Sequence, residues 1–164
     1  MKSLKKHALL FAMMLIGFAA SAQLPALQLK TVDGNTVNTA ELSNDGKPFI
    51  LTFWATWCKP CLRELKAIHE VYPDWVEETG VKVYAVSVDA AQSQSRVKPL
   101  ADAEGWEYEI LLDPNMEFLH LCGAQNVPHL MIIDGEGKVV ESHAGYTDGS
   151  EEHVYEIIKS LVEK

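Results

Sequence analysis

The stretch Phe49-Ile50-Leu51-Thr52-Phe53-Trp54-Ala55-Thr56-Trp57-Cys58-Lys59-Pro60-Cys61 joins an apolar run to two cysteines separated by two residues. The run, introduced by Pro48, predicts a buried strand. Beyond Pro60, Leu62, Leu65, Ile68, His69, Tyr72 and Trp75 recur near helical spacing. A helix is therefore expected over Cys61 to Glu78, with Pro73 kinking or interrupting its distal part and Gly80 ending it. The cysteines fall between strand and helix. There the two-residue spacing brings both sulfurs within disulfide reach, and the helix amino terminus favours a thiolate. Cys58, at the more exposed start, is the expected nucleophile, and Cys61 the resolving residue. Pro60 suits the first helical turn, where no amide donor is needed, and Lys59 adds positive potential. Exchange between such thiols needs no metal or organic cofactor. A structural disulfide and half of a zinc site are the other readings of the pair, although no second CxxC supplies the remaining ligands.

Outward from this centre the pattern alternates between strand and helix. Leu27 to Thr31 and Thr36 to Asn38 flank Asp33-Gly34-Asn35, which predicts an early hairpin. Val81 to Val88 reads as a second internal strand, with Asp89 at its carboxyl end. Gln94 to Glu104 reads as a helix closed by Gly105, with Pro99 weakening its middle. A short strand over Glu109 to Leu112, a turn at Asp113-Pro114-Asn115 and a short helix through Leu121 follow. Leu130 to Ile133 and Lys138 to Ser142 flank the hairpin turn Asp134-Gly135-Glu136-Gly137. The last helix spans Ser150 to Val162, with Asp148 and Glu151 as a candidate capping box. The sum is one α/β domain with a mixed sheet covered on both faces.

The 164 residues suffice for one domain, and 48% hydrophobic content argues against disorder. A net charge of −9 disfavours a nucleic-acid binder. Residues 1–22 stand apart. Lys2, Lys5 and Lys6 precede the apolar run Ala8 to Ala20, and Ala20-Ser21-Ala22 supplies a small-x-small cleavage signal. This predicts a secretory signal peptide and a mature domain over residues 23–164. A retained anchor is the other reading, but the run is short for the ~20 residues that span a bilayer. The expected location is extracytoplasmic, such as the periplasm.

The segment Phe53 to Cys61, together with Val127-Pro128 and the run Leu130 to Lys138, resembles the TlpA-like extracytoplasmic thioredoxins, a group that includes cytochrome c maturation reductases. The resemblance covers most of residues 23–164. It implies a thioredoxin fold, a central mixed β-sheet flanked by helices, with an extra N-terminal β-hairpin. It also implies that Val127-Pro128 is the family's cis-proline loop opposite the CxxC, leaving Val127 backbone groups for an extended partner. Glu64 matches an acidic position that tunes the thiols or relays a proton to Cys61. Trp57 either shields the sulfurs and forms docking surface or simply packs. Trp54 belongs to the core. Three departures stand out: Thr52 where many cytoplasmic thioredoxins carry a buried acid, Lys66 where a helix-kinking proline is frequent, and His129 where threonine is common. The ring of His129 is a candidate to contact substrate or alter thiolate stability.

These residues point to an extracytoplasmic thiol-disulfide oxidoreductase acting as a disulfide reductase. Its implied partners are a disulfide-bearing protein substrate and a membrane protein whose exposed thiol pair restores the dithiol. A disulfide oxidase, a peroxidase, a copper carrier using Cys58 and Cys61, and an inert binding module are the alternatives. Cys122 is expected to be a small buried residue. A metal site from His120, Cys122 and His129 lacks an evident fourth ligand.

Overall fold

The computed structural model describes residues 23–163. The expected signal peptide, residues 1–22, lies outside the described residues. The early hairpin forms as expected from β1 (Gln28–Thr31) and β2 (Thr36–Asn38). Next comes β3 (Phe49–Trp54), buried at every position, because it ends up central with side chains covered on both faces. Then follow α1 (Lys59–Thr79), β4 (Lys82–Ser87), α2 (Val97–Glu104) and β5 (Glu109–Leu112). The chain finishes with α3 (Glu117–Leu121), β6 (His129–Ile133), β7 (Val139–Ala144) and α4 (Ser150–Val162). Among the described residues no helix is long and apolar enough to cross a membrane.

One seven-stranded mixed sheet runs in the order β2-β1-β5-β4-β3-β6-β7. β3, β4 and β5 are parallel, and the remaining pairs are antiparallel. The crossovers β3–α1–β4 and β4–α2–β5 step in the same direction, so right-handedness puts α1 and α2 on one face. The Lys66–Glu104 ion pair at 2.9 Å joins those two helices. α4 lies against α1, where Trp75 stacks on Tyr155 with ring centroids 5.1 Å apart. The opposite face is covered by α3, whose Phe118 lies 5.5 Å from Phe53. Alternation then sends Thr52 and Trp54 to the α1 face and Phe53 to the α3 face. Phe49, Leu51, Phe53 and Phe118 are each at most 1% exposed, and a fully buried side chain of this kind contributes about 1.5–3 kcal/mol.

Four local expectations are corrected. Pro73 does not end α1, which continues through it to the Gly80 cap. The missing Pro73 amide costs one helical bond, but Ile68 and Tyr72 before it and Trp75 and Thr79 after it are all buried, so packing on both sides keeps the helix continuous. α2 begins only at Val97, behind a 3-10 turn over Gln94–Arg96, so Pro99 falls in its first turn and removes no needed donor. The capping box at α4 does not form: the cap is Gly149 at φ 91°, with no side-chain bond. Asp148 instead pairs with Arg63 at 3.2 Å, and Glu151 accepts the Tyr146 hydroxyl at 3.0 Å. Strand ends also shift slightly, β6 starting at His129 and β7 reaching Ala144. At the pole opposite the cysteines, a Cβ on Gly135 would meet Gly46 O at 1.9 Å, so only glycine permits that approach.

Candidate active site

β3 ends at Trp54, and the chain turns through Ala55 to Cys58, whose N–H donates to Ala55 O at 3.0 Å. α1 starts at Lys59, making Cys58 its N-cap. Cys58 and Cys61 are joined by a disulfide with Cα atoms 5.3 Å apart. The Cys61 N–H donates to Cys58 Sγ at 3.3 Å. Cys58 is the more exposed cysteine, as expected, yet both are buried, at 5% and 0%. The first-turn amides of α1 point toward Cys58, which stabilises negative charge there. Pro60 lies in this first turn, and Lys59 is exposed at its edge. Trp57 is 63% exposed. It therefore adds apolar surface beside the disulfide rather than packing in the core, where Trp54 is fully buried as expected.

Glu64 follows Cys61 by three residues, about one helical turn, and is 2% exposed. It is not a surface glutamate. Its Oε2 accepts the Thr52 hydroxyl at 2.9 Å. Desolvation by burial raises its pKa to about 7, against the smaller downward pull of that hydrogen bond. The helix thus brings a carboxyl over Thr52, although the strand position itself carries none.

Val127-Pro128 is a cis peptide, as the resemblance implied. Pro128 is buried and Val127 half-buried. The loop opens β6, whose His129 pairs in register with Phe53 of β3, which puts Pro128 beside the end of the strand that leads to Cys58. Gly145 N–H ties Pro128 O at 2.8 Å. His129 Nε2 is 2.9 Å from Ser142 Oγ. Burial, and then the proximity of His143, push its pKa down, so it is neutral at pH 7 and supplies no fixed positive charge to a thiolate. Cys122 is half-buried rather than fully buried. Burial, and then Asp113, push its thiol up to about 12. Among the described residues no group of three or more His, Cys, Asp or Glu side chains gathers as a metal site.

Sequence reading missed Asp89 as part of the site. Its Oδ2 accepts the Thr56 N–H at 2.8 Å and the Ser87 hydroxyl at 2.9 Å, and its Oδ1 accepts the Thr56 hydroxyl at 2.6 Å. This buried carboxylate fastens the turn before Cys58 to the end of β4. The available signal was its place just past a central parallel strand, at the carboxyl edge where α/β sheets gather their sites.

A disulfide at the amino end of the helix after the central strand, with a cis-proline loop opening the neighbouring antiparallel strand, on a mixed sheet flanked by helices, defines a thioredoxin-fold CxxC protein. The chain belongs to the AhpC/TSA family, whose model matches residues 20–142. It is 31% identical to the thiol-disulfide oxidoreductase ResA of Bacillus anthracis over 121 residues, 74% of this chain and 67% of that one. It is 29% identical to the thioredoxin-like protein YneN of Bacillus subtilis over 79% of this chain and 74% of that one. Among solved structures, a thioredoxin-like protein from Porphyromonas gingivalis aligns with a TM-score of 0.78 and 53% identity, covering 87% of this chain and 94% of that one. A thiol:disulfide interchange protein of the thioredoxin family from Chlorobium tepidum shares the fold, with a TM-score of 0.69 at 24% identity over 88% and 98% of the two chains.

Proposed function

We propose that this protein is an extracytoplasmic thiol-disulfide oxidoreductase that reduces disulfides in other proteins. The Cys58–Cys61 disulfide at the amino end of α1, with the Glu64 carboxyl buried one turn further on, carries this reading. In the working cycle the Cys58 thiolate attacks a substrate disulfide, forming a mixed disulfide and releasing one substrate thiolate. Cys61 passes its proton to Glu64. Its thiolate then attacks Cys58 Sγ, and the second substrate sulfur leaves with the electron pair and takes up a proton. Two electrons have passed from the dithiol to the substrate. A membrane-bound thiol donor restores the pair by the reverse exchange.

Trp57, Val127, Pro128 and His129 form the docking rim, and Lys59 and Pro60 shape the potential at Cys58. The relatedness to ResA supports the oxidoreductase assignment. Residues 1–22 support export, and oxidised cytochrome c apoproteins are the substrate class the TlpA-like resemblance suggests. The deciding experiment is the equilibrium potential of the Cys58–Cys61 pair in a Cys122→Ser background. A value near the ~−270 mV of thioredoxin supports a reductase, and a value near ~−120 mV assigns an oxidase instead.

A further inference from the structure

Among the described residues four buried side-chain polar atoms have no protein partner: Trp54 Nε1, Trp106 Nε1, Glu64 Oε1 and His69 Nδ1. An unpaired buried group costs about 1–3 kcal/mol, so four call for a common cause. All four side chains lie on the α1 face of the sheet. Trp54 stands two residues from Thr52 on that face, ~7 Å along the strand, and Thr52 holds Glu64. Trp54 meets Trp106 edge-on with ring centroids 5.2 Å apart, and Trp106 lies 5.8 Å from Tyr108. Tyr108 in turn meets His69 edge-on at 6.3 Å. The Tyr108 hydroxyl donates to Leu65 O at 2.9 Å, which anchors this ring row to α1 between Glu64 and His69. Glu64 and Trp54 are sealed at 2% and 0% exposure, whereas His69 is only half-buried.

We propose that ordered water lies among these side chains and carries protons between Glu64 and solvent, with Trp54 and Trp106 orienting it and His69 at its outlet. The chemistry of the four atoms favours this arrangement. An indole N–H only donates, so it binds a water through a lone pair and leaves that water's own protons directed elsewhere. Glu64 Oε1 at one end and His69 Nδ1 at the other are the unpartnered atoms between which those protons would pass. Buried waters make about three hydrogen bonds each, and these four atoms are partners for such bonds. The proposal rests on Glu64 receiving the Cys61 proton. Between oxidation and re-reduction that proton either stays on Glu64 or exchanges with solvent, and Leu65, Ile68, Tyr72 and Trp75 close the rest of the α1 face to exchange. In the step that forms the Cys58–Cys61 bond, the proton moves from Cys61 to the Glu64 carboxylate and then through water to solvent. The reverse path returns it when the disulfide is reduced.

The test is single-turnover oxidation of the reduced Cys122→Ser protein by a synthetic peptide disulfide, in H2O and D2O. It compares Glu64→Gln, Trp106→Phe and His69→Leu, with potential, Cys58 alkylation rate and thermal midpoint measured alongside. Resolution of the mixed disulfide is expected to slow on the order of 10²-fold in Glu64→Gln and about tenfold in Trp106→Phe and His69→Leu. The latter two should show a larger solvent isotope effect at unchanged potential and alkylation rate, and added imidazole should restore His69→Leu. If Glu64→Gln slows resolution while the other two keep wild-type rates and isotope effects, the water route is overturned and the role of Glu64 stands. Altered thermal midpoints with wild-type isotope effects overturn it equally, since packing alone then accounts for both residues. If Glu64→Gln resolves at the wild-type rate, the role of Glu64 falls and the route with it.

Discussion

Cys58 and Cys122 are the same side chain at opposite ends of helices. Cys58 is the N-cap of the 21-residue α1, and Cys122 is the C-cap of the five-residue α3. The first faces unpaired amides that favour a thiolate. The second is packed against the core near Asp113, and its pKa is raised to about 12. Reactivity is thus assigned by helix polarity rather than by exposure, since Cys58 is the more buried of the two, and the sequence around each cysteine matters through the element end it creates.

The sharpest break of this comparison is by substitution. Cys58→Ser and Cys61→Ser should each abolish catalytic turnover in a disulfide-reduction assay, while Cys122→Ser should retain it. Turnover by either active-site variant would remove the pair from the mechanism. Alkylation of the reduced protein should separate the two kinds of thiol next. At pH 7 the Cys122 thiolate fraction is on the order of 10⁻⁵, so mass mapping should find label on Cys58 and none on Cys122, whose rate should climb tenfold per pH unit. Early labelling of Cys122 would mean that its end of α3 opens.

Glu64 extends the comparison to stability. Its folded pKa of about 7 lies above the ordinary 4.5, so the folded state retains a proton that the unfolded chain releases. Its contribution is therefore fully present below pH ~4.5 and is lost as pH rises to about 7, a change of about 3 kcal/mol. Urea titrations of the oxidised protein should show this decline and Glu64→Gln should lack it; parallel curves would remove the buried carboxyl as its source. Asp89→Ala leaves the Thr56 amide without its acceptor and should cost about 1–3 kcal/mol, with a lower kcat/KM. Unchanged kcat/KM would show that the turn holds Cys58 unaided. The smallest effect is expected at Arg63, whose pair with Asp148 is exposed on both sides. Arg63→Ala should change stability by less than about 1 kcal/mol, and a larger loss in the same titration would give that surface pair a structural weight its exposure denies.

The strand, the CxxC and the helix after it were legible because period, proline placement and cysteine spacing all act locally. The cis geometry of Val127-Pro128 followed from a resemblance, since a proline alone does not determine its isomer. Glu64 was legible as one turn from Cys61, but its burial depended on Thr52, which arrives from another element. Asp89 stayed hidden for the same reason: its partner Thr56 is 33 positions away. Pro73 misled because the penalty for a helical proline is local, whereas the packing that overrides it belongs to the sheet. At α4 the capping pattern was present, but Arg63 and Tyr146 claimed both carboxylates first.

The ends of the sheet also bear on what the molecule can meet. On one flank β1 covers β5, and the outermost strand, β2, is only three residues long. On the other, the β6–β7 pairing is irregular at Ile132/Ile133. A short border offers a poor template for an extended chain, whereas the six-residue β7 leaves a free edge on the other side. For a protein proposed to reduce disulfides in other, incompletely folded chains, the β2 side thus gains a form of hygiene. A client leaving the catalytic end finds little to adhere to along that flank, and any lasting attachment would fall on β7.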